Sequence, residues 1–120
     1  MIQEDYVSFE VAKLLKEKGF EGICDYAYSN KGNYFEIDRS NFDEVYCLRP
    51  THQMATKWLR EIHKLHIWIA HKLKQNIGLP WYYEIHNIET GTVVKIGDVV
   101  CGSYEVACEA ALKYSLKNLI

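Results

Sequence analysis

The sequence predicts an α+β fold: a mainly antiparallel sheet of about four to six strands, with three helices packed on one of its faces. Two observations predict it. Three stretches place apolar residues at helical spacing directly behind a Ser or Thr that can cap a helix. The stretches between them alternate with period two and are joined by short turns rich in Gly and Asn. A regular βαβ alternation, which would demand a parallel sheet, is missing, as are internal repeats and low-complexity runs. The expected order is α-β-β-β-α-β-β-β-α over a single domain, residues 1–120.

The first helix is expected over residues 9–18, capped by Ser8, with Val11, Leu14 and Leu15 on its apolar side and Glu10, Lys13 and Glu17 on another. Gly19 stands where a left-handed residue stops a helix, and Phe20 can fold back on Leu15. Residues 20–28 then alternate, with Cys24, Tyr26 and Tyr28 on one side and Ile23, Asp25 and Ala27 on the other. A turn at residues 29–33 leads to a second strand at 34–37, and a third short strand is expected at 44–48, ended by Pro50. Thr51 caps a second helix whose apolar stripe is Met54, Trp58, Leu59, Ile62 and Leu65, opposite Gln53, Lys57, Arg60 and Lys64.

Residues 66–73 are ambiguous. Ile69 and Leu73 would continue the helical stripe, whereas the run from His66 to Ala70 is as rich in β-branched and aromatic residues as a strand. Gly78-Leu79-Pro80 is a breaker, residues 81–88 read as a strand, and residues 92–96 pair with it across a Thr90-Gly91 turn. Residues 97–102 are a connection. Ser103 caps a last helix reaching about Asn118. Its Glu105, Glu109, Lys113 and Lys117 lie four apart as a wet line, while Ala107, Ala110, Ala111, Leu112, Tyr114, Leu116 and Leu119 supply the buried side.

Composition bounds the function classes. Hydrophobic residues at 48% and charged residues at 25% are those of a globular chain. The first residues lack the pattern of a signal peptide, and no apolar run could span a membrane, so a cytoplasmic location is expected. Charge is segregated: Lys and Arg against Asp and Glu number 5 to 10 in residues 1–48, 6 to 1 in residues 49–76, and 3 to 5 in residues 77–120. The middle segment alone is therefore +5 in a chain of net charge −2.

Three segments carry a resemblance: Tyr6-Val7-Ser8-Phe9-Glu10-Val11-Ala12-Lys13-Leu14-Leu15-Lys16-Glu17-Lys18-Gly19-Phe20, Met54-Ala55-Thr56-Lys57-Trp58-Leu59-Arg60-Glu61, and Tyr104-Glu105-Val106-Ala107-Cys108-Glu109-Ala110-Ala111-Leu112-Lys113-Tyr114. Together the chain resembles a family of small proteins of gut Bacteroides species and their phages or prophages. The resemblance implies no activity and no catalytic residue. It does imply that the second helix ends near Lys64 and that residues 66–73 form a strand paired with 81–88, around a hairpin at 74–79.

Candidate chemistry is sparse. His63, His66 and His71 lie close in sequence but share no metal-ligand spacing with Cys24, Cys47, Cys101 or Cys108, and no Cys-x-x-Cys pair occurs. The cysteines read as reduced, buried thiols. The acid pairs Glu4-Asp5 and Asp43-Glu44 read as solvated, and no phosphate-binding or dinucleotide-binding glycine loop is present. No catalytic residue, cofactor or metal is therefore expected. The residues singled out for binding are Lys57, Arg60 and Lys64 on the basic helix, with Trp81 and Tyr82 as stacking faces. The reading is a small non-catalytic interaction protein with a protein partner or a second copy of itself. The alternative is nucleic acid along the helix at residues 52–64, which the overall acidity disfavours.

Overall fold

The computed structural model describes residues 2–72, 80–97 and 101–120. The fold is α+β, with three helices and two three-stranded antiparallel sheets. The elements follow one another as α1 (Phe9–Glu17), β1 (Tyr26–Tyr28), β2 (Tyr34–Glu36), β3 (Cys47–Leu48), α2 (His52–His63), β4 (Leu65–His71), β5 (Trp81–Asn87), β6 (Thr92–Ile96) and α3 (Tyr104–Asn118). That is the expected order. Its six strands are divided between the orders β2-β1-β3 and β4-β5-β6 instead of forming one sheet.

Local chemistry sets the helix ends. The Ser8, Thr51 and Ser103 side chains accept the Val11, Met54 and Val106 amides, so each helix starts on a capped turn. Gly19 sits at φ +82°; its amide bonds to the Lys16 carbonyl and the Phe20 amide to the Leu15 carbonyl, which is a Schellman ending. α2 stops at Lys64, which takes the left-handed conformation at φ 58°, and β4 begins at the next residue. Residues 66–71 are thus extended. Leu73, the expected turn at 74–79 and residues 98–100 of the expected connection lie outside the described residues.

The first strand is shorter than its alternation predicts. Only Tyr26–Tyr28 pairs, and Ile23 is 91% exposed. Phe20 turns edge-on to Trp58 at 5.5 Å, and the Cys24 sulfur lies 3.7 Å from that of Met54, so this segment packs on α2 rather than on another strand. The third strand shrinks to Cys47–Leu48 behind a 3-10 turn at Phe42–Glu44.

One core joins the elements. Val7, Val11 and Leu15 meet Tyr28 and Cys47 of the first sheet, Ala55 and Leu59 of α2, Leu65, Tyr83 and Ile85 of the second sheet, and Cys108, Ala111, Leu112 and Leu116 of α3. α3 lies at its centre, packed on β4, β5, α1 and α2. Ala107 and Ala111 allow its close approach, and Ser115, fully buried, gives its hydroxyl to the Ala111 carbonyl. The expected wet line on α3 is only partly wet. Glu109 turns to His52 at 2.6 Å, and Lys113 and Lys117 reach Glu10 of α1 at 3.0 and 3.5 Å. The charges expected to pair along one helix pair between elements instead.

Candidate functional site

Two of the three helices, α2 and α3, cover one face of β4-β5-β6, while α1 packs on α3 and β3. Register places Ile67 opposite Ile85 and Ile69 opposite Tyr83, and these four turn toward the core with Leu65. The other face carries the intervening residues. His66 pairs with His86, Trp68 with Glu84 and Ala70 with Tyr82, while β6 sets Ile96 beside Glu84 and Val93 beside His86. Trp68 is 45%, Val93 51% and Ile96 54% exposed. At the centre of this open face the Glu84 carboxylate meets His86 Nε2 at 2.9 Å. The His86 ring lies 6.0 Å from His66 and 6.1 Å from Trp68. Burial, then the charges of Arg60 and His86, holds the pKa of His66 below the ordinary histidine range. Apolar side chains thus ring a small group of ionisable ones.

A cleft of about 350 Å³ opens between this sheet and the helices, lined by His52, Thr56, Ile67, Ile69, Tyr104 and Cys108 among others. His52 Nε2 sits 2.6 Å from Glu109 Oε2, while Glu109 Oε1 accepts the Ser8 amide at 2.8 Å. Burial works against protonating His52, but hydrogen bonding to Cys108 and Glu109 overrides it and raises its pKa to about 10. Burial likewise opposes ionising Glu109, and its bonds to His52 and Ser8 hold its pKa below the usual carboxylate range. The result is an imidazolium–carboxylate pair that ties the chain before α1 to α2 and α3. His52 and Glu109 were not singled out in the sequence. They lie 57 positions apart, and no local pattern links them.

A third cluster surrounds Arg49. Its guanidinium lies 4.3 Å from the Tyr6 ring centroid and 4.0 Å from that of Tyr34, with Tyr26 and Tyr28 at 5.9 and 5.6 Å. Arg49 Nε donates to the Tyr28 hydroxyl at 3.2 Å, and that hydroxyl donates to the Val7 carbonyl at 2.6 Å. The alternation of Tyr26 and Tyr28 was a visible signal for this face; the contribution of Arg49, from just after β3, was not.

The five residues singled out for binding each have their own neighbours. Lys57 lines a second cleft, beside Arg49. Lys64 closes α2, and its ammonium donates to the Glu61 carbonyl at 2.9 Å. Arg60 is half-buried, and its charge acts on His66. Trp81 stands edge-on to His71 at 4.9 Å and to Tyr104 at 5.7 Å, and Tyr82 lies under the Lys72 ammonium at 5.2 Å. Leu65 pairs with Asn87 and His71 with Trp81, so Lys64, just before Leu65, and Trp81 stand near opposite ends of β4, about 20 Å of strand apart at roughly 3.4 Å per residue. The histidines are dispersed too: His63 packs on the Trp58 ring at 4.8 Å, His66 faces His86, and His71 faces Trp81. Among the described residues no group of three or more His, Cys, Asp or Glu could hold a metal ion. The four cysteines are thiols; burial raises the Cys24 pKa to about 11 and pushes Cys47 up as well.

Among the described residues no helix is long and apolar enough to cross a membrane. No family model, curated protein or solved structure matches the chain.

Proposed function

We propose that the protein is a small non-catalytic binding protein, acting in the cytoplasm and encoded by a phage or prophage, whose docking surface is the open face of β4-β5-β6. The observation that carries the reading is this face, where the half-exposed Trp68, Val93 and Ile96 ring the Glu84–His86 pair and no other described element packs on them. The partner the face fits is a second copy of the chain. A two-fold axis crossing the strands at the level of Ile85 sets each Glu84 against the other copy's His86, so the surface is complementary to itself. Three strands of at most seven residues span roughly 300 Å² in projection, at about 4.8 Å between strands and 3.3 Å along them. A standard interface buries about 800 Å² per partner, so the dimer is weak and concentration-dependent.

Support for a non-catalytic role comes from the His52 cleft. The one strongly perturbed imidazole there is held protonated and spent on Glu109, so it has no lone pair to act as a base near neutral pH. A nucleic acid along Lys57, Arg60 and Lys64 has less behind it, because the chain is acidic overall and Trp81 and Tyr82 stand at the end of β4 opposite Lys64.

Sedimentation velocity across a concentration series tests the reading. A monomer–dimer equilibrium in the micromolar range is expected, and Trp68→Glu should shift it to monomer without changing the fold. A wild-type protein that stays monomeric at millimolar concentration, or a Trp68→Glu variant that dimerises as well as the parent, sinks it.

A further inference from the structure

Beyond the docking face, we infer that the cleft beside Arg49 binds a small apolar α-amino acid as its zwitterion. The cleft measures about 390 Å³, the size range of small-molecule sites. Arg49 and Lys57 bring two cations to it, and Glu4 and Asp25 bring two carboxylates. None of the four forms an ion pair with another described residue, so charges of both signs face one cavity without cancelling across it.

Arg49 is prepared for an oxyanion. A guanidinium has five N–H donors in one plane. Tyr6 and Tyr34 lie over it, Nε is spent on the Tyr28 hydroxyl, and the terminal nitrogens donate to no described residue. The stacking and the Tyr28–Val7 bond fix the plane before anything binds, so little side-chain freedom is lost when a carboxylate arrives. Asp25 and Glu4 are the acceptors for an ammonium, and they also repel a ligand that carries only negative charge. The remaining wall is apolar: Ile23, Pro50 and Met54. Ile23, nearly wholly exposed and packed on no strand, becomes a cover for the ligand side chain.

The test is calorimetric titration of the full chain with L-leucine, 4-methylpentanoate, which lacks the ammonium, and 3-methylbutylamine, which lacks the carboxylate. Leucine is expected to bind at about millimolar Kd or tighter, and each truncated analogue at least about tenfold more weakly. Arg49→Lys, which keeps the charge and loses the stacked plane, should weaken leucine about tenfold. Lys57→Gln and Asp25→Asn, both exposed and outside the core, should each weaken it with the circular dichroism spectrum unchanged. They decide the matter if an Arg49 variant fails to fold. Absence of leucine binding, equal binding of 4-methylpentanoate, or full binding by the Asp25→Asn variant overturns the inference.

Discussion

His52 and Glu109 form a charge pair that ties the first turn of α2 to α3, and Glu109 ties both to the Ser8 cap of α1. Both shifts are stability statements. The raised pKa of His52 gives a contribution that is complete below about 6.5 and is lost as pH climbs toward about 10. The lowered pKa of Glu109 gives one that is complete above its ordinary value of 4.5 and is lost as pH falls through the folded value. The two overlap fully between those ordinary values and remain largely in force at neutral pH. Glu109→Gln keeps an oxygen for the Ser8 amide but removes the charge. It should cost about 1–2 kcal/mol at pH 6, and the loss should shrink toward pH 10. Urea unfolding at pH 4, 6, 8 and 10 measures this; a loss independent of pH would mean that the pair acts through packing alone.

At the level of elements, what could be read from the chain was what depends on near neighbours. Ser8, Thr51, Ser103 and Gly19 act within a single turn, and each helix terminus they mark falls within a residue of its expected place. β6 has the bounds expected of it, Thr92–Ile96, and pairs with β5 as expected. The division into two sheets was not legible, because period-two alternation says that a segment is extended and not which segment it pairs with. Residues 20–25 show the difference: Phe20 and Cys24 find Trp58 and Met54 on a helix, and the alternation is spent there. The His52–Glu109 pair and the Arg49 cluster were hidden for the same reason, since their members come from different elements. Lys64 is a local signal of another kind, a non-glycine residue in the left-handed region. That conformation costs an L-residue about 1–2 kcal/mol, part of which glycine recovers against its greater freedom when unfolded. Lys64→Gly should therefore raise stability by about 0.5 kcal/mol in a denaturant titration, despite losing the exposed bond to Glu61. A drop in stability would show that this bond holds the junction of α2 and β4.

Across the whole molecule, the two sheets are unequally anchored. β4-β5-β6 is backed by α2 and α3 and contributes Leu65, Tyr83 and Ile85 to the core. β2-β1-β3 has strands of two or three residues, and of its two edge strands β3 gives Cys47 to the buried core cluster while β2 gives none. Local opening follows buried apolar contact, so the two sheets should open at different free energies. Native-state hydrogen exchange is expected to find the β5 amides, bonded on both sides and flanking Tyr83 and Ile85, exchanging only with global unfolding. The β2 amides should exchange through a smaller opening that leaves α3 intact. The Arg49 cluster bridges that difference, because Tyr34 comes from β2 while Tyr28 is tied to Val7 in the core. Tyr34→Ala should then speed exchange in β2 and leave β5 unchanged. If β2 and β5 amides instead share one free energy of opening, the two sheets form a single cooperative unit, and the stacking on Arg49 adds nothing to the independence of the first.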